Sequence, residues 1–313
     1  MDSRGFQQSS CLVSLLAGSS KYTLGAERCQ AGQERPAAKL LFPKAPGSHI
    51  LQAKTSGVIQ MLLELQKGII YGPIRSRRLG HSLGVNLLPA SAKVCTFDCL
   101  YCQYGWTDRE ALRNLRSLAL PSRRQVAEAL EKALASVAQD PPAYITFSGN
   151  GEPTLHPDFA DIVDDVIAIR DRLAPSARTA ILSNSTTVSE SGIRGALARL
   201  DVRIMKLDAG TEARFCAYNQ PASGYDIASV VEGLAGLKDV TLQALFARGP
   251  AGNASDTDIE AWVSLVKQIA PTLVQIYTLD RGYPSRQIEP VGRADLEAIC
   301  RRLGEAGIEG KVY

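Results

Sequence analysis

The sequence predicts an α/β fold whose strands are parallel. Six apolar runs have the length of buried strands, and stretches with helical spacing separate them. Each connection is long enough to hold a helix, as a crossover between parallel strands requires. Two architectures satisfy this pattern, a doubly wound open sheet and a partial barrel of six βα units. In both, reactive residues are expected at the carboxyl ends of the strands.

The six predicted strands are continuous apolar runs, which is typical of strands covered on at least one face. They span residues 83–88, 144–147, 179–182, 202–207, 240–246 and 273–279. A polar or reactive segment follows each strand in turn. The polar and reactive residues that follow the strands are therefore expected to lie together at one edge of the predicted sheet.

Helix-start signals lie between these strands. Ser122 with Gln125 forms the pattern of a capping box, and the apolar residues after it repeat at helical spacing. Pro157 suits the first turn of a second helix. Ser255 with Asp258 predicts the start of a third.

The composition is that of an ordinary soluble domain, with 313 residues, 45% of them hydrophobic, and a net charge of +3. No apolar run approaches the roughly 18 residues of a membrane-spanning helix, so we expect no membrane partner. The seven cysteines are odd in number, and three of them fall within eight residues. Such close thiols are awkward as disulfide partners and natural as metal ligands. A reducing cytoplasm is the expected compartment.

The first part of the chain differs from the rest. Residues 1–66 form a low-pattern extension rich in small and polar residues, and residues 67–313 carry the strand and helix patterns. Low-pattern composition cannot bury a core. The extension is read as flexible, as a docking or targeting arm, or as the product of a misassigned start, with Met61 the first residue. The last interpretation is favoured, and residues 1–60 are expected to be dispensable.

The segment after the first strand has the cysteine spacing C-x3-C-x2-C, at Cys95, Cys99 and Cys102. Thiolates are the ligands that iron–sulfur clusters require. Three converging thiolates would bind three irons of a [4Fe–4S] cluster and leave the fourth iron open to a small molecule, as an open coordination position marks a catalytic metal.

The competing interpretation is a zinc site with a distant fourth ligand. Zinc motifs usually present paired C-x2-C knuckles, and the sequence has no second pair. The candidates for a fourth ligand are Cys216, His49, His81 and His156.

A glycine-rich segment follows the second strand, with the sequence Ser-Gly-Asn-Gly-Glu-Pro from residue 148. Glycine lets a ligand approach the backbone and adopts unusual backbone angles at little cost. Taken alone, the segment is ordinary turn material. Because it follows the strand next to the cysteine loop, it becomes a candidate binding loop. A bulky residue at Gly151 is expected to block the loop without disturbing the three thiolates.

These two motifs resemble those of the radical S-adenosylmethionine (SAM) superfamily. The cysteine motif with Tyr101 before its last cysteine is similar to the family signature, and residues 145–157 are similar to its Gly-Gly-Glu motif. The resemblance covers the chain from about Gly72 onward. It implies the partial (βα)6 barrel with parallel strands, a [4Fe–4S] cluster and SAM as cofactors, and reductive cleavage of SAM.

The resemblance also implies roles for particular residues. Cys95, Cys99 and Cys102 would bind the cluster, and Tyr101 would lie beside the adenine. The loop of Gly149, Asn150, Gly151 and Glu152 would meet the methionine amino group through its backbone. Polar residues at later strand ends would contact the ribose, the carboxylate or the substrate, namely Ser183, Asn184, Lys206 and Asp208. A Lys-x-Asp pair at a strand end is also often a solvated ion pair.

A narrower resemblance connects residues 71–84 and the cysteine loop to the tRNA wyosine-forming synthases. The arginines of that stretch, Arg75, Arg77 and Arg78, would bind phosphate or RNA, or form a solvated face. Those synthases have further cysteines before the motif, and the spacing of Cys11 and Cys29 does not match them. The substrate is therefore unidentified, with RNA one possibility. The family further implies an electron donor such as flavodoxin or ferredoxin. An iron–sulfur redox or sensor protein that does not turn over SAM is the alternative function.

Overall fold

The computed structural model describes residues 53–55 and 58–313. Its strands are β1 (Ala53–Thr55), β2 (Val58–Gln60), β3 (Ile70–Ser76), β4 (Gly80–Val85), β5 (Tyr144–Phe147), β6 (Arg178–Ser183), β7 (Val202–Lys206), β8 (Val240–Leu245), β9 (Ala247–Arg248), β10 (Leu273–Tyr277), β11 (Glu289–Pro290) and β12 (Gly310–Val312). Its α-helices are α1 (Arg109–Arg113), α2 (Arg123–Ser136), α3 (Phe159–Leu173), α4 (Ser191–Arg199), α5 (Glu212–Tyr218), α6 (Ile227–Ala235), α7 (Asp256–Ile269) and α8 (Arg293–Glu305). Most of the predicted extension, residues 1–52, 56 and 57, lies outside the described residues.

One eight-stranded sheet organises the chain, in the order β12-β10-β8-β7-β6-β5-β4-β3. The six predicted strands are β4, β5, β6, β7, β8 and β10, and each is parallel to its neighbour in this series. Chain order and spatial order agree, as they do when each βα unit winds in the same direction. The predicted α/β fold, a partial (βα)6 barrel, is therefore confirmed.

The sheet has two edge strands that the sequence patterns did not predict. At one edge, β12 pairs in parallel with β10. At the other, β3 pairs antiparallel with β4, with a register shift between Tyr71 and Ile74. The apolar pattern of β3 is broken at this shift by Gly72 and Pro73, residues that weaken a strand signal. Two small sheets, β1–β2 and β9–β11, complete the strands of the described residues.

The predicted helix starts are largely confirmed. Ser122 caps α2 through a complete capping box with Gln125, and Ser255 caps α7 by accepting from the backbone N–H of Asp258. The prediction for Pro157 is wrong by two positions, because α3 begins at Phe159 with Asp158 as its N-cap residue. The first-turn position goes to Phe159, whose fully buried side chain packs in the core.

The two faces of the sheet have different partners. One face packs under the helices in the main core, with residues such as Phe147, Ile181 and Val274. On the opposite face, Ala180 and Ile204 pack with Leu79, which lies at the turn between β3 and β4. The tip of the β3–β4 hairpin thus lies against the inner face of the partial barrel. We refer to residues 77–79 as the hairpin tip.

Among the residues that the structure describes, no helix is both long enough and apolar enough to cross a membrane.

Candidate functional site: a cysteine loop and a glycine loop at the strand ends

The three clustered cysteines lie in the loop that follows β4. Cys95 and Cys99 are buried and Cys102 is half-buried. Two isolated bridges fix this loop, one from Val94 to Gly151 and one from Phe97 to Pro221. The cysteine loop is therefore anchored on the loops that follow β5 and α5.

N–H groups point at two of the sulfur atoms. The Nδ2 atom of Asn184 lies 3.3 Å from the Cys95 Sγ atom, which also accepts from the backbone N–H of Phe97 at 3.4 Å. The Nδ2 atom of Asn219 lies 3.5 Å from the Cys99 Sγ atom. A thiolate can only accept hydrogen bonds, and donors of this kind hold cluster ligands and tune their potential.

A buried lysine accompanies the cysteines. Lys93 is only 5% exposed, and its Nζ atom donates to the carbonyl oxygen of Gly105 at 2.9 Å. Gly105 in turn donates its backbone N–H to the carbonyl of Cys102. Burial alone would lower the pKa of Lys93, but the nearby sulfurs of all three cysteines raise it above its ordinary value. A positive charge thus lies beside three potential thiolates.

Without a metal, the buried thiols resist ionisation. Burial raises the pKa of Cys95 to about 11 and that of Cys99 to about 12, with Lys93 opposing the rise in both cases. No three His, Cys, Asp or Glu side chains within the described part of the chain lie close enough to share one metal ion. The ligands of a cluster need not converge on one metal ion, because each thiolate would bind a different iron. The sulfur donors, the N–H groups and the buried cation fit a cluster on three thiolates.

The glycine loop lies directly against the cysteine loop. Gly149 and Gly151 have φ angles of +138° and +145°, a region that other residues rarely adopt. A Cβ atom at Gly149 would lie 2.5 Å from the Oδ1 atom of Asn86, and one at Gly151 would lie 1.7 Å from the carbonyl oxygen of Val94. Both positions therefore require glycine.

The collision at Gly151 changes one expectation from the sequence. Val94 precedes Cys95 by one residue, and its backbone binds the glycine loop in both directions. Its N–H donates to the carbonyl of Asn150 at 2.9 Å, and its carbonyl accepts from the N–H of Glu152 at 3.0 Å. A side chain at Gly151 would displace this pairing, so it would disturb the cysteine loop as well as the binding loop. The two effects cannot be separated as predicted.

The polar residues of the glycine loop serve as internal supports. Asn150 is fully buried, and its side-chain amide binds the backbone of Gln66 and the carbonyl of Pro89. Glu152 is 1% exposed and accepts hydrogen bonds from three residues through its carboxylate, Thr154, Ser183 and Asn184. Burial raises the pKa of Glu152, and the donated hydrogen bonds oppose that rise. The side chain of Glu152 thus ties the end of β5 to the end of β6.

Ser183 and Asn184 are engaged with these loops in the structure. The Ser183 hydroxyl donates to Glu152 at 2.9 Å, and the Asn184 amide donates to Thr96 at 2.7 Å as well as to Cys95. Asn184 therefore joins three strand-end loops. Its predicted contact with a ribose stays a prediction.

Lys206 and Asp208 form a buried ion pair, with 2.8 Å between the Nζ and Oδ1 atoms. The Asp208 carboxylate is fully buried and also accepts from Asn219, Tyr101 and the backbone N–H of Leu245. Burial alone would lower the pKa of Lys206, but Asp208 raises it, so the ammonium group is retained. The description of this pair as solvated is wrong, and Asp208 acts as the hub of a network that reaches Cys99 through Asn219.

Tyr101 is held in this network from two directions. Its hydroxyl donates to Asp208, and the Lys206 Nζ atom lies 4.8 Å from the centroid of its ring. Burial keeps the pKa of Tyr101 well above its ordinary value, so the phenol stays protonated as a donor. The ring adjoining Cys102 is thus fixed in position.

His156 has a structural role. It is 3% exposed, its Nδ1 atom accepts from the backbone N–H of Asp158, and its Nε2 atom lies 3.0 Å from the carbonyl oxygen of Pro121. These partners require the neutral tautomer with its proton on Nε2. Both ring nitrogens of His156 are thus occupied by backbone groups.

Residues 61–66, the last part of the predicted extension, contact both loops. The backbone N–H of Leu63 donates to the carbonyl of Gln103, and Gln66 pairs with Asn150. The side-chain amide of Gln66 also donates to the hydroxyl of Tyr104. These contacts show that residues 61–66 pack against the two loops.

Three residues of this candidate site were missed from the sequence. Lys93 is two residues from Cys95, and its position next to the motif was the available signal. Asn219 lies far from every motif and gave no signal at all. Tyr277 accepts from Lys206 at 2.9 Å, and it could have been found as an aromatic at the end of the last predicted strand.

The comparisons with known proteins agree with this geometry. The family model of the radical SAM superfamily matches residues 91–247, about half of the chain and both motif loops. GTPase Obg from Brachyspira hyodysenteriae is 28% identical over 235 residues, which are 73% of this chain and 32% of that protein. The UPF0026 protein MJ1312 from Methanocaldococcus jannaschii is 30% identical over 171 residues, 55% of this chain and 50% of that one. The chain thus spans half or less of the length of these two relatives.

A solved structure supports the fold. The crystal structure of a radical SAM methyltransferase from Sphaerobacter thermophilus aligns with a TM-score of 0.56 and 14% identity, covering 74% of this chain and 65% of that one. At this identity the likeness shows the fold alone. The family match over half of the chain leads to one assignment: the chain belongs to the radical SAM superfamily.

Proposed function

We propose that this protein holds a [4Fe–4S] cluster on Cys95, Cys99 and Cys102 and cleaves SAM reductively to generate a radical on an unidentified substrate. The observation that carries the proposal is the environment of the three sulfurs. N–H donors from Asn184, Asn219 and Phe97 reach two of them, and the buried Lys93 accompanies all three. The N–H donors and the charge of Lys93 favour thiolates and oppose the effect of burial, as ligands of a bound cluster require.

When bound, the cluster would supply one electron to the sulfonium of SAM, yielding methionine and a 5′-deoxyadenosyl radical. The chain's own residues would hold the reactants still, which is the main contribution of a protein to cofactor chemistry. Asn184 and Asn219 orient the sulfurs of Cys95 and Cys99. Lys93 offsets part of the negative charge that three thiolates bring into a buried loop.

The residues around the two loops suit a bound SAM molecule. The glycine loop lies beside the cysteine loop, with Gly149 packed against Asn86 and Gly151 against Val94, and the fixed ring of Tyr101 offers a surface for an adenine. The Oδ1 atom of Asn219 is buried and receives no hydrogen bond from the described residues. An unpaired buried acceptor is costly, and a donor group of SAM would remove that cost. Ser183, Asn184 and Lys206 stay candidates for further contacts.

The proposed catalytic unit is the partial barrel, assigned from the sequence to residues 67–313, together with residues 61–66. We refer to residues 61–66 as the strap, because they pack against the cysteine and glycine loops. A cytoplasmic electron donor such as flavodoxin or ferredoxin would reduce the cluster. The half-buried Cys102 is the most exposed of the three ligands and marks the side from which an electron would enter.

The test is product formation by anaerobically reconstituted, dithionite-reduced protein supplied with SAM. We expect four irons per chain and slow release of 5′-deoxyadenosine and methionine, measured by liquid chromatography and mass spectrometry. Replacing Cys95, Cys99 and Cys102 with alanine should remove iron and product together. A Cys300→Ala variant is the matched control, since Cys300 is half-buried in α8, away from the strand-end loops.

The alternative function, an iron–sulfur redox or sensor protein, gives a different result. It would bind iron through the same cysteines, yet SAM would not change the spectrum of the reduced cluster, and no 5′-deoxyadenosine would form with any reductant. That outcome would overturn the proposed SAM cleavage and leave the cluster assignment intact.

A further inference from the structure

One arginine on the inner face of the barrel has no partner for its charge. The guanidinium of Arg78 forms no hydrogen bond or ion pair with any residue that the structure describes, and its Nη1 atom is buried without a partner. Its Cζ atom lies 4.5 Å from the centroid of the Tyr277 ring. A guanidinium carries five N–H donors in a planar fork that matches carboxylate and phosphate oxygens.

The neighbouring arginine shows that this arrangement is particular to Arg78. Arg77, the preceding residue of the hairpin tip, forms an ion pair with Asp280. Arg75 is exposed on β3. Only Arg78 of these three is held at the inner face by stacking on an aromatic ring, with its donors unused.

A second cation lies on the same ring. The Nζ atom of Lys206 is 4.9 Å from the Tyr277 centroid and donates to the Tyr277 hydroxyl at 2.9 Å. Lys206 is already paired with the carboxylate of Asp208. Two cations thus lie at this ring and, in the part of the chain that the structure describes, only Lys206 is paired with an anion, which leaves the positive charge of Arg78 unbalanced. Burying such a charge without a partner is unfavourable.

The ring itself is held firmly. The Tyr277 hydroxyl accepts from Lys206 and donates to the Oε1 atom of Gln243 at 3.1 Å, and the Gln243 amide donates to Gln275 at 3.2 Å. Both glutamines are buried. A fixed ring between two cations is a pre-organised recognition element, since little side-chain entropy remains to be lost on binding.

The position of these groups relates them to the cysteine loop. Lys206 contacts the rings of both Tyr101, which precedes Cys102, and Tyr277, on which Arg78 stacks. Lys206 and Tyr277 therefore connect Arg78 to the cysteine loop. We propose that Arg78, with Lys206, binds an anionic group of the substrate, a carboxylate or a phosphate, on the inner face of the barrel. The proposal rests on the proposed function, which requires a substrate next to the cysteine loop.

The surroundings favour a terminal anionic group on a small molecule over an RNA backbone. Arg78 is half-buried at the hairpin tip, and the arginine beside it is already neutralised by Asp280. A polyanion is normally met by a row of exposed, unpaired cations. A single carboxylate or phosphate needs only the one fork and the neighbouring ammonium group.

The test is calorimetric titration of the full-length reconstituted protein with inorganic phosphate and, separately, with succinate, in a buffer whose only other small anion is chloride. We expect one site in wild type. The Arg78→Met variant keeps the stacked stem and loses the charge, and its affinity should fall about tenfold or more. Arg78→Lys, which keeps the charge and loses the fork, should fall between the two. Arg75→Met, an exposed arginine of the same hairpin, should stay within about twofold of wild type.

Several results would overturn the inference. One is an absence of saturable binding of either probe to wild type, and another is unchanged affinity in both Arg78 variants. A third is competition between phosphate and SAM together with weakened SAM binding in Arg78→Met, which would make the anion the carboxylate of SAM. Saturation by tRNA with no response to either small anion would make the partner RNA. Wild type that binds phosphate but never releases 5′-deoxyadenosine would instead refute the proposed function, because anion binding needs no reduced cluster.

Discussion

Replacing Gly151 with alanine should destabilise the protein through the contact between its two functional loops. The Cβ atom would lie 1.7 Å from the Val94 carbonyl oxygen, a distance that atoms cannot adopt, so the backbone must move. The movement would break the two hydrogen bonds that pair Val94 with the glycine loop, 2.9 and 3.0 Å long. The φ angle of +145° is also strained for any residue other than glycine.

These contributions set the expected magnitude. Two lost hydrogen bonds cost about 0.5–1.5 kcal/mol each. Backbone strain at a non-glycine residue adds about 1–3 kcal/mol. The free energy of unfolding should therefore fall by about 2–6 kcal/mol, which lowers the melting temperature by about 4–24 °C at roughly 2–4 °C per kcal/mol for a domain of this length.

The assay is thermal unfolding followed by circular dichroism, combined with iron analysis after anaerobic reconstitution. We expect a lower melting temperature and a lower iron content together, because Val94 directly precedes Cys95. Gly304→Ala is the matched control. Gly304 lies in α8, and a Cβ atom added there would meet nothing within 4 Å. Alanine at this position should be neutral or stabilise by up to about 1 kcal/mol.

A Gly151→Ala protein that melts within error of wild type and retains its iron would contradict this prediction. In that case the two loops would not be coupled through Val94. If stability falls while iron content is unchanged, the loops touch but the cysteines are held independently of that contact.

Three further predictions concern other parts of the site. Lys93→Met should lower the reduction potential of the reconstituted cluster by tens of millivolts, where about 59 mV is a tenfold change in the equilibrium constant of a one-electron couple. The assay is a potentiometric titration followed by electron paramagnetic resonance, and an unchanged potential would contradict a role for the charge of Lys93. Burial lowers the pKa of His156 below its ordinary value, so the unfolded chain takes up a proton first as pH falls below about 6.5, and stability is lost there. In urea unfolding, the free energy of unfolding of His156→Gln should fall less below this pH than that of wild type. An identical dependence of that free energy on pH in both proteins would refute this role of His156. A chain that begins at Met61 should melt and bind iron as the full chain does, whereas one that begins at Lys67 should lose stability; equal melting of both would show that the strap at 61–66 is dispensable.

Much of the fold could be predicted because it depends on local patterns. The six parallel strands are short apolar runs, and the capping residues of α2 and α7 make contacts within three positions of the helix start. The edge strands β3 and β12 were not predictable in this way. The apolar pattern of β3 is broken by Gly72 and Pro73, and β12 is three residues long and pairs with β10 through tertiary contact.

The candidate site likewise has features that local sequence predicts and contacts that depend on tertiary packing. The sequence by itself determined the three cysteines, the glycine loop and the residues at the strand ends, because ligand type and spacing are written along the chain and parallel strands bring their ends together. Only the tertiary structure decided what those residues touch. Asn219 reaches Cys99 from 120 positions away, and Asp208 gathers donors from four separate segments. The unpartnered charge of Arg78 likewise appears only once the hairpin tip meets Tyr277. Such contacts depend on packing across the sheet, where position in space is independent of distance along the chain.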